Sequence, residues 1–406
     1  MTDRSTTCCI AGGGPAGMML GFLLARAGVE VLVLEKHADF FRDFRGDTIH
    51  PSTQEIMNDL GLLDEFLELP HNKLTELVGD IDGQPYRLVD FTRLPTRSKF
   101  MAMMPQWDFL SFLARKASAY PAFNLALETE ATGFIEAGGR VTGVTADTPD
   151  GPLEITADLV VLAAGRNSSL KDALKLEADE FGVPFDVTWF RLPKRTEALP
   201  SLGRLGDGHL LVTIDRGEYW QAGLLIGKGT FDAIKAQGLE AFRAQIVRIA
   251  PFMKASVEDL EGWEDVKLLS VQVDRLRRWY RPGLLCIGDS AHAMSPAGGV
   301  GVNFAVADAV AAANQLARPL ARRNLSADDL AAVQKRREPP VRLMQAVQVR
   351  QGALFGNVDS PWTRRIFKLI SVAAPLRHAM GRAVGLGFRP EHVQTPDAGT
   401  TPTSGA

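Results

Sequence analysis

Residues 8–35 read CCIAGGGPAGMMLGFLLARAGVEVLVLE. A short apolar strand leads into the pattern G-x-G-x-x-G at residues 12–17, and a largely apolar run follows it. Gly28 ends that run, and a second aliphatic strand ends in Glu35. This order of strand, glycine turn, helix and strand predicts one βαβ unit of an α/β fold.

The glycine pattern is typical of a dinucleotide-binding turn. Gly12 permits the tight turn, Gly14 lets backbone amides approach a pyrophosphate, and Gly17 lets the helix pack closely on the strand. The first helical turn, with Pro15 and Ala16, offers unpaired N–H groups and the positive end of the helix dipole to the phosphates.

A carboxylate after the second strand completes the pattern. Glu35, about 20 residues past the glycines, is placed to accept hydrogen bonds from an adenosine ribose, and the adjacent Lys36 is included in the predicted site. Two alternatives are a glycine turn in another kind of α/β unit and, because the run is apolar, a signal peptide. Arg26, the glycines and the following strand argue against the signal peptide.

The composition is that of an ordinary soluble protein. The 406 residues are 46% hydrophobic and 23% charged, and the net charge of −3 argues against a nucleic-acid partner. Cys8, Cys9 and Cys286 lie in apolar strand-like stretches and are expected to be buried thiols in a reducing cytoplasm. The sequence predicts no integral membrane span, and no histidine or cysteine spacing predicts a metal site.

Two residues after the βαβ unit are candidates for contact with a bound nucleotide. Arg45 is a candidate phosphate contact because a guanidinium binds an anion bidentately. The alternative is a surface arginine paired with Asp43 or Asp47. His50 is a candidate catalytic residue at the reactive end of a cofactor, although a hydrogen-bonded structural histidine before a proline is the favoured interpretation.

Residues from about 177 to 271 differ in kind. Predicted strands at 185–192, 210–215 and 219–226, with one amphipathic helix near 239–249, indicate an antiparallel sheet. Its aromatic residues are candidates for one wall of a substrate pocket, and each is explained equally well as sheet core. They are Trp189, Phe190, Tyr219 and Trp220. Tyr219 is also a candidate catalytic residue.

A second glycine-rich loop follows the predicted strand at residues 284–287. Residues 288–292 read GDSAH, and residues 296–303 read PAGGVGVN before an apolar helix from about 304 to 317. A helix that is apolar on nearly all sides is expected to be buried.

This loop has the features of a contact with a flat ligand. Asp289, at the carboxyl end of a strand, is placed to bind hydroxyls. Gly298, Gly299 and Gly301 let the backbone lie flat against a planar group, and the helix N-terminus stabilises negative charge there. The alternative is a glycine turn that only lets strand and helix pack.

These elements predict an α/β protein in which a Rossmann-like nucleotide-binding domain carries an antiparallel-sheet substrate domain and C-terminal helices. The expected boundaries are 1–75, 100–176 and 272–325 for the nucleotide-binding domain, 76–99 and 177–271 for the substrate domain, 326–392 for the C-terminal helices, and 393–406 for a disordered tail.

Three patterns now coincide in order and spacing: residues 12–35, the segment DLVVLAAGRNS at 158–168, and residues 288–303. Together they resemble the single-component FAD monooxygenases of the para-hydroxybenzoate hydroxylase type, which hydroxylate aromatic rings. The resemblance covers most of residues 5–390. The match at 288–303 is the most specific, and the substrate domain matches in architecture only.

The resemblance implies an FAD site. It assigns to the ADP half of FAD Gly12, Gly14, Gly17 and Glu35. Near the pyrophosphate and the ribityl chain it places Arg45, Gln106, Gly165 and Asp289. Around the isoalloxazine ring it places Pro296, Gly298, Gly299, Val300, Gly301 and Asn303. Pro296 joins His50 and Tyr219 as a candidate catalytic residue.

The resemblance also implies the reaction. NADH or NADPH, which has no nucleotide domain of its own, reduces FAD, and the presence of a single glycine fingerprint agrees with this. Reduced flavin adds O2 to give a C4a-hydroperoxide, whose distal OH attacks an electron-rich ring of an aromatic or polyketide-like small molecule. The sequence does not specify the substrate, and it is compatible with an oligomer.

One departure from the family pattern concerns residue 164. The family carries an aspartate just before the glycine that matches Gly165, and this chain has Ala164, with Leu162 where a small residue is usual. In the family that aspartate helps to hold FAD and serves the nicotinamide cofactor. We therefore expect slower reduction here, or reduction by another route.

Two other readings of the resemblance stay open. A flavin-dependent halogenase or oxidase is one, although Tyr219-Trp220-Gln221 replaces the tryptophan pair and lysine of the halogenase motif. A flavin-binding protein without turnover is the other, and the intact loop at 288–303 argues against it.

Overall fold

A computed structural model of the chain describes residues 2–41, 48–81, 83–166, 168–196, 202–355 and 361–399. The strands are, in chain order, β1 (Thr2–Ala11), β2 (Val31–Leu34), β3 (Thr48–Ile49), β4 (Asn72–Leu74), β5 (Glu76–Ile81), β6 (Gln84–Asp90), β7 (Met101–Met103), β8 (Phe123–Ala126), β9 (Glu130–Ala137), β10 (Arg140–Thr148), β11 (Gly151–Leu162), β12 (Ala178–Phe181), β13 (Phe185–Pro193), β14 (Gly203–Gly206), β15 (His209–Asp215), β16 (Tyr219–Gly227), β17 (Lys267–Leu269), β18 (Val273–Leu276), β19 (Tyr280–Arg281) and β20 (Leu284–Cys286). The helices are α1 (Pro15–Arg26), α2 (Pro51–Asp59), α3 (Leu63–Phe66), α4 (Gln106–Ala117), α5 (Ser169–Ala173), α6 (Phe231–Ala236), α7 (Leu239–Ile249), α8 (Gly301–Ala321), α9 (Ala327–Phe355), α10 (Pro361–Val372) and α11 (Ala374–Gly385).

The predicted βαβ unit is confirmed and lies at the centre of an eight-stranded sheet. Five parallel strands follow the order β20, β11, β1, β2 and β8. Antiparallel β10 and β9 extend the sheet from β11, and β19 pairs with β20. Because parallel strands end at the same edge of a sheet, the loops after β1, β11 and β20 are brought to one side.

Glycines bring α1 onto this sheet. A Cβ added at Gly17 would lie 1.9 Å from the carbonyl oxygen of Gly12, and one added at Gly21 would lie 2.6 Å from Val33 Cγ2. The helix therefore rests on β1 and β2 at backbone distance, and α8 packs on it as well.

The second glycine-rich loop leads into the apolar helix α8, whose residues are mostly buried, as predicted. The segment Ala297–Ala321 is long and apolar enough to cross a membrane, but 78% of its most apolar stretch is buried inside the protein. The segment contains Asp308 and three glycines, and its burial leaves the prediction of no integral membrane span in place. The burial is that of a core helix in a soluble protein.

A seven-stranded sheet follows the order β17, β13, β16, β15, β14, β5 and β6. Its pairs are antiparallel as predicted, except that β14 runs parallel to β5. α7 covers one face, where Phe190, Leu211, Phe242 and Ile246 belong to one buried cluster. The sheet thus joins strands from residues 76–90 to strands from the later segment, while the domain boundaries themselves stay a prediction.

A small three-stranded sheet links the two larger ones. β7 pairs on one side with β3 and on the other with β4, so that Thr48 and Asn72 both lie opposite Met103. Asn72 Nδ2 also donates to the carbonyl oxygen of Asp215 at the end of β15, at 3.2 Å. The tip of the β15–β16 hairpin is thereby tied to the sheet that contains β3.

The C-terminal segment differs from the expected disorder in residues 393–399. The Gln394 N–H donates to Asn314 Oδ1 at 2.8 Å, and the Ala398 N–H donates to the carbonyl oxygen of Arg26 at 2.7 Å. The carbonyl group at the end of α1 and the Asn314 side chain within α8 supply partners that composition alone does not reveal. The rest of the predicted tail lies outside the described residues.

The three cysteines are buried free thiols, as expected. Burial raises the pKa of Cys9 and of Cys286 to about 12 and raises the pKa of Cys8 well above its usual value. The thiols are therefore protonated and shielded, which makes them unreactive.

We expect Gly17→Ala to lower the free energy of unfolding by about 2 kcal/mol, because the added methyl group must push α1 away from Gly12. Gly14→Ala is the matched control. Its Cβ would meet no atom within 4 Å, so the loss should stay below about 1 kcal/mol. Urea unfolding without added cofactor measures both, and equal losses in the two variants would contradict the packing argument.

Candidate flavin site

Two glycine loops from distant parts of the chain meet at the carboxyl edge of the eight-stranded sheet. A Cβ added at Gly12 would lie 2.5 Å from the carbonyl oxygen of Ala163, which follows β11. A Cβ added at Gly288, which follows β20, would lie 3.2 Å from Ala16 Cβ at the start of α1. Gly12 and Gly288 have φ values of 114° and 59°, so each needs glycine on two counts.

Ser290 fastens the loop after β11 to the loop after β20. Its Oγ accepts a hydrogen bond from the Gly165 N–H at 3.1 Å and donates to the Gly165 carbonyl oxygen at 3.2 Å. Ser290 is fully buried. The sequence does not predict this role of Ser290, because its partner Gly165 lies more than a hundred residues away.

Glu35 reaches back to the first glycine loop. The Gly13 N–H donates to Glu35 Oε2 and the His37 N–H donates to Oε1, both at 3.1 Å. The carboxylate therefore lies beside the turn, in the position predicted for a ribose contact. The neighbouring Lys36 pairs instead with Glu130 at 3.6 Å, and both side chains are exposed.

Open space lies beside the N-termini of α1 and α8. A Cβ added at Gly14, Gly165 or Gly301 would meet no atom of the described residues within 4 Å. The first N–H groups of a helix lack intrahelical acceptors and carry the positive end of its dipole. Bare backbone, free N–H donors and positive potential fit the pyrophosphate and the flat ring of FAD.

Asp289 forms an ion pair across the cleft edge that the sequence did not predict. Its Oδ2 accepts hydrogen bonds from Arg166 Nη2 at 2.8 Å and Nε at 3.2 Å, and the two side chains are 32% and 21% exposed. Arg166 Nη1 is buried and has no hydrogen-bond partner among the described residues. Asp289 therefore offers its other carboxylate oxygen to a hydroxyl.

The second glycine loop takes a conformation that favours glycine. Gly298 and Gly299 have φ values of 80° and 61°. A Cβ at Gly299 would lie 2.1 Å from Thr48 Oγ1, which donates to the Gly299 carbonyl oxygen at 2.7 Å. The Pro296 carbonyl oxygen accepts from the Gly299 N–H at 3.0 Å, and Val300 is buried behind the turn.

Asn303 holds this loop against β3. Its Nδ2 donates to the carbonyl oxygens of Thr48 and Gly299, at 3.0 and 3.1 Å. Its Oδ1 accepts from the His50 N–H and from Thr53 Oγ1, both at 2.8 Å. The buried amide uses both of its donors and accepts two hydrogen bonds, so these contacts make it a positioning residue for Gly299.

His50 is buried, with 1% of its surface exposed. Its Nδ1 lies 2.8 Å from the Val384 carbonyl oxygen, so this nitrogen carries a proton and donates it. Burial lowers the pKa of His50 to about 4, and the backbone carbonyls of Val384 and Gly298 offset this only in part. A neutral histidine held in this way agrees with the structural interpretation, and a catalytic role for it stays a prediction.

A buried carboxylate missed by the sequence reasoning anchors α8. Asp308 Oδ2 accepts from the Gly288 N–H at 3.0 Å and lies 2.6 Å from His292 Nε2, while Oδ1 accepts from Arg337 Nε at 2.9 Å. Arg337 also binds Glu391 at 3.2 Å. Burial alone would raise the pKa of Asp308, but the neighbouring His292 and Arg337 lower it overall. The signal was available as the lone acid within an apolar helix.

Gln106 and Arg45 complete the predicted cofactor contacts. Gln106 is the first residue of α4, is half-buried, and has no hydrogen-bond partner among the described residues. Its position leaves the amide available to a ligand. Arg45 lies outside the described residues, and its predicted phosphate contact stays a prediction.

Tyr219 begins β16, next to the hairpin tip that reaches the three-stranded sheet. The guanidinium of Arg191 lies 5.1 Å from the centre of its ring. The bond from Asn72 to Asp215 ties this tip to β4, which shares β7 with β3, the strand beside Gly299. The hairpin is therefore connected to the second glycine loop through three short strands, and a catalytic role for Tyr219 stays a prediction.

Comparison with known proteins identifies this arrangement. A protein-family model described as an FAD binding domain matches residues 5–346. The 6-methylpretetramide 4-monooxygenase of Streptomyces rimosus is 31% identical over 382 residues, which cover 93% of this chain and 91% of that protein. The chain belongs to the FAD-dependent aromatic hydroxylase family. This hydroxylase is a monooxygenase with FAD as cofactor and NADH or NADPH as reductant.

Solved structures share the fold of this hydroxylase. The p-nitrophenol 4-monooxygenase PnpA of Pseudomonas putida DLL-E4 matches with a TM-score of 0.78 and 18% identity over 95% of this chain and 98% of that chain. The anhydrotetracycline hydroxylase OxyS of Streptomyces rimosus matches with a TM-score of 0.77 and 22% identity over 98% of this chain and 78% of that chain. The Rossmann-like fold with a second sheet and C-terminal helices is thus confirmed.

The burial of His50 makes the stability of the hydroxylase depend on pH. In the unfolded chain, the His50 ring binds a proton near pH 6.5, whereas in the folded chain it does so only near pH 4. The free energy of unfolding therefore falls as the pH falls from 6.5 to 4. Between pH 7 and pH 5, we expect the free energy of unfolding to fall by about 2 kcal/mol less in His50→Gln than in the wild type. Urea unfolding at both pH values measures this loss.

A control for this experiment is His37→Gln, at an exposed histidine, which should keep the wild-type difference between the two pH values. A His50→Gln variant with the same pH dependence as the wild type would show that the His50 ring is not buried as described.

Proposed function

We propose that the chain hydroxylates an aromatic or polyketide-like small molecule. The observation that carries this proposal is the meeting of the two glycine loops beside the N-termini of α1 and α8, where Gly14, Gly165 and Gly301 leave open space. The substrate class is supported by two similar proteins, a 6-methylpretetramide 4-monooxygenase and an anhydrotetracycline hydroxylase.

The chain's own residues divide the work of holding FAD. The N–H groups at the start of α1 would bind the pyrophosphate, and Glu35, which accepts from the Gly13 N–H, would also accept hydrogen bonds from the ribose. Asp289 and Gln106 would bind the ribityl chain, and residues 296–303 would contact the ring. Bound FAD, reduced by NADH or NADPH, supplies the activation of O2 and the transfer of one oxygen atom.

The start of α8 has an electrostatic task. Its N-terminal N–H groups and dipole stabilise negative charge on the reduced ring. Asp308 and Asn303 fix the direction of these groups, since each ties α8 to a loop that borders the site. The geometry is set before the cofactor is reduced, so little rearrangement is needed.

The substrate region has an apolar wall. Met101, Met103 and Ile214 are buried in one cluster, where the three-stranded sheet meets the seven-stranded sheet. In the proposed substrate region, this cluster would exclude water from the side of a bound aromatic ring. The polar end of the region is the hairpin tip, where Arg216 donates to Gln221 Oε1 at 3.2 Å.

The central experiment is a reduction assay on the purified protein. We expect a yellow protein that contains FAD, and NADH or NADPH oxidation that accelerates when a phenol or a polyketide-like ring compound is added. If NADH or NADPH fails to reduce the flavin at every substrate concentration tested, a halogenase or another flavin oxidoreductase is favoured. Hydrogen peroxide release without product across a broad panel would favour a flavin-binding protein without turnover.

The assigned role of Asp289 can be tested on cofactor affinity. We expect Asp289→Ala to raise the Kd for FAD by at least about tenfold, since a hydrogen bond to a charged group contributes about 1.5–3 kcal/mol. Asp289→Asn, which keeps the shape and one acceptor, should weaken FAD binding less. Titration of the apoprotein with FAD measures both, and an unchanged Kd in Asp289→Ala excludes the contact.

The departure at Ala164 leads to a further prediction. Ala164→Asp restores a carboxylate beside Gly165, and we expect flavin reduction by NADPH to become several-fold faster. Ala164→Asn is the uncharged control of equal size and should stay at the wild-type rate. Stopped-flow reduction measures both rates, and equal rates in the two variants would mean that the carboxylate is not the missing element.

Compartment and assembly complete the proposal. Three buried free thiols support a reducing cytoplasm as the site of action. The partners are then the small-molecule substrate, O2 and NADH or NADPH.

A further inference from the structure

The helix pair α10–α11 carries an unusual share of the exposed apolar surface. The described residues include nine large hydrophobic side chains that are exposed, and five of these lie between residues 362 and 388. They are Trp362, Leu369, Val372, Leu376 and Phe388. Trp362 and Val372 are each 71% exposed. Large apolar side chains grouped in this way mark an interaction surface.

The same segment has a one-sided charge. Residues 361–390 contain six arginines and lysines and no aspartate or glutamate, in a chain whose net charge is −3. These cations are Arg364, Arg365, Lys368, Arg377, Arg382 and Arg389. A surface of this kind is complementary to an anionic partner.

Apolar and basic residues share the outer face of α10. Trp362, Leu369 and Val372 are spaced by seven and three residues, which places them on one side of the helix. Arg365 falls within this stripe, and Lys368 borders it. A stripe of Trp, Leu and Val with adjacent cations is the pattern of a helix that lies in a membrane interface.

The inner faces of the two helices are already occupied. Phe367 packs against the cluster of Ile81 and Leu205 on the seven-stranded sheet. A Cβ added at Gly381 would lie 1.9 Å from the Asp90 carbonyl oxygen, so α11 touches the end of β6 at backbone distance. The outer face is therefore held in a fixed orientation.

We propose that the outer face of α10–α11 binds the surface of an anionic lipid bilayer. Trp362, Leu369 and Val372 enter the interface, while Arg365 and Lys368 contact the negatively charged headgroups. One membrane-bound helix pair gives reversible attachment without a spanning segment.

The position of α11 gives this contact a use, which rests on the proposed function. Met380, Val384 and Leu386 pack against the apolar cluster that contains Met101 and Met103. The helix next to the lipid-facing α10 thus backs the wall of the proposed substrate region. An apolar aromatic substrate dissolved in the bilayer would be collected at this surface.

The test uses the FAD-loaded full-length protein and sedimented lipid vesicles. We expect binding to vesicles of phosphatidylcholine with about one third phosphatidylglycerol at low salt, weak binding to phosphatidylcholine alone, and loss of binding at high salt. No binding to the anionic vesicles overturns the proposal, and so does equal binding to both compositions.

Paired variants distinguish binding by this surface from nonspecific adsorption of the protein to vesicles. The double variant Arg365→Glu with Lys368→Glu should lower the vesicle partition coefficient by at least about tenfold, and Leu369→Ser with Val372→Ser should lower it as well. The control for the charge variant is Lys254→Glu with Lys267→Glu, and the control for the apolar variant is Leu268→Ser. These residues lie at exposed positions on the seven-stranded-sheet side of the molecule. Equal losses in the controls overturn the assignment to α10.

Two further outcomes would replace the lipid by another occupant. Sedimentation velocity that shows a dimer in the wild type and a monomer in Leu369→Ser with Val372→Ser assigns the face to a second copy of the chain, and this overturns the proposal. Vesicle binding does not depend on turnover, so its loss is distinguishable from failure of the proposed hydroxylation, which the reduction assay reports.

Discussion

The close approach of backbone to backbone at the carboxyl edge of the eight-stranded sheet is the constraint on which the site depends. Gly17 lets α1 rest on the Gly12 carbonyl, and Gly12 in turn touches Ala163 at the end of β11. Any side chain at these points would move the N-terminus of α1 away from the strand ends. Since the proposed phosphate donors are backbone N–H groups, these contacts set their positions.

The second helix of the site is fixed by charge. Asp308 accepts a hydrogen bond from the Gly288 N–H and pairs with His292 and with Arg337 of α9. All three contacts are buried from solvent. Removing one partner of such a buried set costs about 3–5 kcal/mol, because the remaining charges lose their compensation. Steric contact therefore locates α1, whereas electrostatic contact locates α8, and the two helix N-termini are brought to one edge by different means.

The sequence predicted what is local and periodic. The unit at residues 8–35 has its strand, turn, helix and carboxylate in one continuous stretch, so glycine spacing and apolar runs reveal it directly. The pairing of Arg166 with Asp289, the partners of Asp308 and the docking of residues 393–399 are contacts between distant segments. Neither composition nor spacing shows which distant groups will meet, so these contacts are seen only in the folded structure.

The ion pair of Arg166 with Asp289 lies close to a neutral residue, because position 164 is an alanine. An aspartate there would stand two residues from Arg166 and would compete with Asp289 for the guanidinium. With Ala164 neutral, Arg166 and Asp289 neutralise each other, and the pair adds no net charge at the edge of the cleft. The positive ends of α1 and α8 then dominate the potential that an anionic pyrophosphate and an anionic reduced ring would meet.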